Sequence, residues 1–274
     1  MHSKIILEFG CNHQGSVTIA KEMIDQAAAL GVWAVKFQKR SLNNITPAEG
    51  EQPRSLKNSF GPTFLQHRQA LEFGLSNLSF LKEYTESKGL VFICTAFDLE
   101  SFFLLANELK CEYIKLPSQL YRDQNILKAY AWQEEKPKMI VSTGMITKDL
   151  ILYGSEWATM AWLVMACNSV YPHEQPYGLG IIHDLIRLRG SDKVGYSSHD
   201  TGDAVLPAII AGAEYIERHF TLNKHMKGSD HSTVSSTFEE IQKLMAQIES
   251  IEKMLGHKES LPFDEEIMAK RYIK

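Results

Sequence analysis

Residues 5–38 read IILEFGCNHQGSVTIAKEMIDQAAALGVWAVKFQ, and this stretch decides the fold. Two short apolar runs, IILEF and AVKFQ, flank SVTIAKEMIDQAAALG, whose apolar residues recur at helical spacing and whose Gly31 supplies a helix stop. Ile5 to Gln38 is therefore a βαβ unit. The alternation continues through LVFICTAF, YIKLP, MIVST, LVMAC, KVGYS and YIERHF, which bring the strands to about eight. Helical patterns such as LSNLSFLKEYTESKG, LESFFLLANELK and TFEEIQKLMAQIESIEKMLG separate or follow them. An open doubly wound sheet would carry G-x-G-x-x-G after its first strand, but GCNHQG stands there. The sequence thus predicts an α/β fold closed into a (β/α)8 TIM barrel, one domain over residues 1–274, close to the ~250 residues such a barrel needs.

Residues 40–75, rich in Asn, Pro, Gly and Ser, form the longest irregular region and follow the second strand. A lid or substrate wall on the catalytic face is expected there, with a plain surface excursion as the alternative. Residues 256–274 read as a C-terminal tail. A net charge of -4, with no run of Lys and Arg interleaved with aromatics, argues against a nucleic-acid partner. Neither a signal peptide nor a ~20-residue apolar stretch is visible, so the expectation is a cytoplasmic protein without a membrane partner. Cys11, Cys94, Cys111 and Cys167 show no C-x-x-C spacing and read as small buried hydrophobes.

Polar groups cluster where the strands end. Glu8 and His13 follow the first strand, Lys36 and Gln38 end the second, and Thr95 and Asp98 follow the third. Lys115 and Ser118 follow the fourth, Ser142 and Thr143 the fifth, and Asn168, Ser169 and Tyr171 the sixth. Ser197, His199 and Asp200 come after the seventh, Glu217 and His219 with the eighth. On a barrel all of these meet at one mouth. Lysines and hydroxyls in such a ring suit a phosphorylated or strongly anionic substrate. His199 and His219 end adjacent strands and are either a coincidence or an incomplete divalent-ion site completed by water and substrate oxygens. Glu8 and Asp230 are candidate acid-base or outer carboxylates.

These residues resemble the barrel domain of the N-acetylneuraminate (sialic acid) synthase family. EFGCNHQG is similar to that family's E-I-G-x-N-H-x-G, and VKFQ, HRQALEF, CTAFDLES, IVSTGM, Tyr171-Pro172, GYSSH, IERHFTL and GSDH have counterparts in the same order, covering roughly residues 4–235. The resemblance implies a transferase that condenses phosphoenolpyruvate with an open-chain aldose, releases phosphate and forms a 2-keto-3-deoxy sugar acid. It implies His199 and His219 as ligands of Mn²⁺ or Mg²⁺. Lys36, Thr95, Lys115, Ser118, Ser142, Ser169 and Ser197 would hold phosphoenolpyruvate, and Gln38, Tyr171 and Asp230 the sugar. Glu8, Lys36 and Lys115 would be the catalytic groups, with a structural Glu8–Lys36 salt bridge as the other reading of Glu8.

The match has departures. Leu120 stands where the family's K-x-x-S-x-E places an acid, Ser198 where S-D-H would place an aspartate, and Ser169 where some members have asparagine. The antifreeze-like domain that members carry after the barrel is expected to be missing, which leaves the identity of the aldose open and makes any homodimer use barrel surfaces such as the 236–255 helix. Two other functions compete: a metal-dependent aldolase or sugar isomerase that does not use phosphoenolpyruvate, and a non-catalytic sugar-binding barrel.

Overall fold

The computed structural model describes residues 3–55, 57–145, 160–170, 172, 178–201, 204–228 and 230–256. Its eight parallel strands close into a barrel in sequence order: β1 (Lys4–Glu8), β2 (Ala34–Lys39), β3 (Val91–Ala96), β4 (Tyr113–Leu116), β5 (Lys138–Ser142), β6 (Ala161–Cys167), β7 (Val194–Ser198) and β8 (Tyr215–His219). Each of the eight apolar runs forms one strand. Crossover helices lie outside. The first, α1 (Val17–Leu30), shows why the opening stretch is so legible. Ser16 caps it by accepting from the Ile19 amide, Ala20, Met23, Ile24 and Ala27 bury one stripe, and Gly31 ends it at φ 70°, where a side chain would be strained.

Strand alternation sorts the core into two parts. Outward-facing Leu7, Val35, Cys94, Ile114, Val141, Val164 and Ile216 pack beneath the helices. Inward residues stack in layers contributed by alternate strands, as barrel closure requires. Near the N-terminal ends come Ala34, Tyr113, Leu163 and Tyr215, followed by Ile6, Ile93 and Ile140, all buried. Gly195 completes the second layer because no larger residue fits: a Cβ there would lie 2.5 Å from Met165 Sδ and 2.7 Å from the Tyr215 carbonyl.

The bottom of the barrel is shut by aromatics. Trp33 and Trp162 stack at 6.4 Å, and Tyr113 and Tyr215 meet them edge-on at 5.2 to 5.6 Å. Trp162 is an extra residue in its strand, since pairing passes from Met139–Ala161 directly to Ile140–Leu163. Lys4 and Lys138 close over this plug, each donating to a tyrosine hydroxyl.

Residues 40–75 carry more regular structure than their composition suggested. A 3₁₀ turn (Leu42–Asn44), α2 (Pro47–Gly50, with a Thr46/Glu49 capping box) and α3 (Phe64–Leu71) lie within them. Among the described residues no helix is long and apolar enough to cross a membrane.

Candidate active site

One step along the inward-facing rows, the barrel interior changes from apolar to charged. Above Ile6, Ile93, Ile140 and Gly195 the next layer holds Lys36, Lys115, Met165 and Glu217, and the one after it Glu8, Thr95, Ser142 and Ser197. Gln38, Cys167 and His219 come last, at the mouth. These residues, with Ser118, Ser169 and His199 from the loops, form a cavity of about 210 Å³, apart from Met165 and Ser197, which support it from its wall.

Two lysines and two carboxylates dominate its floor. Lys115 donates to both Glu217 oxygens at 2.7 and 2.8 Å, and Ser197 Oγ adds a third bond at 2.9 Å. Lys36 lies 3.7 Å from Glu217, pairs with Glu8 and donates to Thr95 Oγ1 at 3.0 Å. All four charged groups are buried. Burial pulls the Lys36 pKa down to about 7, against the attraction of Glu217. Burial would raise the Glu217 carboxyl, but the ammonium of Lys115 and then that of Lys36 hold it well below the usual range. The floor is therefore a quartet of two lysines and two carboxylates, and an incoming anion must compete with the carboxylates for the lysines.

The hydroxyl wall depends on a glycine. Gly144 lies so close to Ser169 Oγ, Ser118 Oγ and Cys167 Sγ that an added Cβ would sit 2.3, 2.7 and 3.1 Å from them. Its amide donates to Cys167 Sγ at 3.2 Å, and Ser118 Oγ is 3.4 Å from the same sulfur. The four cysteines are free, but only Cys94 and Cys111 are the buried hydrophobes expected; Cys167 and Cys11 are half-buried and face cavities.

At the mouth the rings of His199 and His219 meet at 5.9 Å, 65° apart. The Nδ1–H of His199 donates to the Asn168 carbonyl at 2.5 Å, which leaves the Nε2 lone pair toward the cavity. Burial, and then the neighbouring His219, lowers the His199 pKa to about 3, so the ring is neutral. Two imidazoles on adjacent strands, that of His199 neutral, fit a divalent cation. Among the described residues no cluster of three such ligands forms, so water and substrate oxygens would complete its coordination.

Glu8, Lys36, Gln38, Thr95, Lys115, Ser118, Ser142, Ser169, His199 and His219 line this one cavity as the strand-end pattern suggested, with Ser197 directly behind Glu217. Tyr171 and the Asp230 side chain lie outside the described residues. Asp98 and Asp200 face elsewhere: Asp98 caps the helix Leu99–Phe103, and Asp200 accepts from Tyr196 and Ser198 in a network completed by Arg218. His13 stacks on Phe73 at 4.2 Å, buried away from the cavity. Leu120 packs into the core while Gln119 beside it lines the cavity. Glu217, counted among the strand-end groups but given no role there, anchors both lysines, and the two-residue step from Tyr215 to Glu217 to His219 is what puts it on the inward face.

The sequence profile of the NeuB family matches residues 23–260. Human N-acetylneuraminate-9-phosphate synthase is 33% identical over 258 residues, covering 92% of this chain and 71% of that protein. The N,N'-diacetyllegionaminic acid synthase of Campylobacter jejuni is 35% identical over 263 residues, covering 92% and 77%. The crystal structure of the N-acetylneuraminic acid (sialic acid) synthetase of Leptospira borgpetersenii, in complex with citrate, superposes with a TM-score of 0.81 at 27% identity, covering 99% of this chain and 91% of that one.

Proposed function

The chain belongs to the NeuB family, and from that premise we propose that it is a transferase joining phosphoenolpyruvate to an open-chain aldose, with release of phosphate and formation of a 2-keto-3-deoxy sugar acid. One observation carries the reading. Two buried lysines and a rim of hydroxyls share a cavity with a pair of imidazoles and a carboxylate, Glu8, beside Gln38. Such a site can seat a small polyanion next to a carbonyl compound.

Lys36 and Lys115 hold the carboxylate and phosphate of phosphoenolpyruvate, assisted by Thr95, Ser118, Ser142, Ser169 and Ser197. The methylene carbon attacks the aldehyde carbon, forming the new C–C bond, and the former carbonyl oxygen takes up a proton. The enol phosphate carbon, left cationic, receives water, which loses a proton. Cleavage of the C–O bond to phosphate, with the proton of the new hydroxyl passing to the departing phosphate, then leaves a ketone. Glu8, which accepts from Gln38 Nε2 at 3.4 Å and from the Gly10 amide, orients that water or removes its proton. Gln38, Tyr171 and Asp230 contact the sugar. His199 and His219 would hold Mn²⁺ or Mg²⁺, which would supply Lewis-acid polarisation of the aldehyde oxygen.

Purified protein with Mn²⁺ and a panel of aldoses should consume phosphoenolpyruvate and release phosphate in an aldose-dependent way. Absence of release with every aldose, together with no calorimetric binding of phosphoenolpyruvate, refutes the proposal. His219→Ala should keep its thermal transition and lose metal-dependent turnover; unchanged turnover would remove His219 from the metal site.

A further inference from the structure

Strand alternation turns one charged residue of β8 away from the cavity. Glu217 and His219 face the barrel axis, so Arg218 between them faces outward, on the side where Leu7, Val35 and Ile216 meet the helices. An apolar residue is the rule there, yet Arg218 is buried and its donors are engaged. Nη1 donates to Ser198 Oγ at 2.8 Å and to the Asp200 carbonyl at 2.5 Å, and Nε donates to Ser236 Oγ at 3.0 Å. The buried Asp200 carboxylate, 4.0 Å from Nη1, supplies the counter-charge. It accepts in turn from Ser198 Oγ at 2.8 Å, Tyr196 Oη at 3.1 Å and the Ala204 amide at 3.3 Å.

The place of this network matters more than its bond count. Ser198 and Arg218 are register partners across β7 and β8, as Ser197 and Glu217 are on the inner face. Ser198 and Asp200 flank His199, and Arg218 precedes His219. One guanidinium thus holds the residues on both sides of the first imidazole while belonging to the strand that ends in the second. Ser236 adds a further anchor: its amide donates to the His219 carbonyl at 2.8 Å while its hydroxyl accepts from Arg218. Stability alone does not call for such a device, because apolar side chains of similar volume pack between strands without the cost of desolvating two charges. A planar fork of fixed shape supplies direction, which apolar packing does not. Ser198 stands where the family motif places an aspartate, so in this chain a hydroxyl links the carboxylate to the fork.

We infer that Arg218 is a positioning residue for the divalent-cation site. Through Ser198 and Asp200 beside His199, and Ser236 beside His219, it fixes the separation and tilt of the two rings, whose centroids lie 5.9 Å apart at 65°. Arg218 does not line the cavity, so its effect is on how the ion is held and not on contact with it. The inference rests on the metal reading of the two imidazoles proposed above; it does not depend on the identity of either substrate.

The test follows Mn²⁺ binding to the full chain by electron paramagnetic resonance, alone and with phosphoenolpyruvate, together with the visible bands of bound Co²⁺ and the thermal transition. Ser198→Ala removes one link of the network, and Arg218→Lys keeps the charge but not the fork. Each should bind Mn²⁺ about 10- to 100-fold more weakly than the natural protein, the usual loss when a group that orients a metal-bound histidine is removed, and each should displace the Co²⁺ bands. Should Arg218→Lys fail to fold, Ser198→Ala decides alone. A purely structural network would lower the melting temperature and leave the folded protein binding both ions as before. Mn²⁺ affinity within about threefold of the natural protein, with unmoved Co²⁺ bands, therefore overturns the inference whatever the melting temperature. His219→Ala separates this from failure of the metal site. If the natural protein binds no Mn²⁺, or His219→Ala binds it equally well, the imidazole pair is not the site and the inference falls with it. Loss of binding in His219→Ala but in neither Ser198→Ala nor Arg218→Lys sinks the inference and leaves the pair standing.

Discussion

Replacing Glu217 by Gln should destabilise the protein and make its stability depend on added anion. Glu217 takes two bonds from Lys115, one from Ser197 and the field of Lys36 at 3.7 Å, all out of contact with water. An amide of the same shape removes the negative charge and turns an N–H₂ toward an ammonium group. Breaking a buried pair from one side costs about 3–5 kcal/mol, because the remaining charge stays desolvated. At about 2–4 °C per kcal/mol for a chain of this size, Tm should fall by about 6–20 °C. Phosphate should then recover more stability in the variant than in the natural protein, since it supplies the missing charge; at 100 times Kd the linkage is about 2.7 kcal/mol. Thermal unfolding followed by circular dichroism, with and without phosphate, measures both. A variant melting within about 2 °C of the natural protein, or one that phosphate stabilises less, would show that the quartet is not the electrostatic unit described.

Gly144→Ala should spare the fold, because its Cβ meets side-chain ends and not backbone, but that methyl would displace Ser118 and Ser169. Losing two hydrogen bonds to a charged ligand, about 1.5–3 kcal/mol each, should weaken phosphoenolpyruvate by about 10²- to 10⁴-fold; calorimetric affinity within about threefold would contradict that role. Acid should destabilise the protein through His13, which burial first and Arg68 second move from 6.5 to about 3. The unfolded chain binds the proton and the folded one does not, so stability is full above pH 6.5 and is lost at up to about 1.4 kcal/mol per pH unit as pH falls toward 3. His13→Asn, which retains an acceptor for the Gly15 amide, should flatten the urea midpoint between pH 6.5 and 5 by up to about one proton; an unchanged slope would exonerate His13.

The barrel was legible because strand and helix announce themselves by period, as in the capped stripe of α1 and the apolar runs that became β1 to β8. Strand ends also gave the mouth. Proximity to a strand end did not say which face a residue takes. Glu217 lies two residues from His219 and faces in, whereas Asp200, just past the end of β7, is bonded to Tyr196 and Ser198. Parity along each strand separates such cases, and only the register fixes parity across strands. Arg40 and Arg54 had no signal of their own, and although Arg68 lies in the HRQALEF run, only the packing of that segment over Phe97 and Gln38 brings the three to one cavity.

The plug of Trp33, Tyr113, Trp162 and Tyr215 makes the site a blind alley. Whatever rests on the two lysines has passed the histidines on the way in and must pass them again on the way out, because among the described residues the plug closes the other end of the axis. Under the proposed reaction this imposes a queue: the small polyanion goes in first, and the sugar then stands between it and the solvent. Initial rates should show compulsory order, and an aldose that blocks phosphoenolpyruvate by occupying the empty enzyme would break that rule.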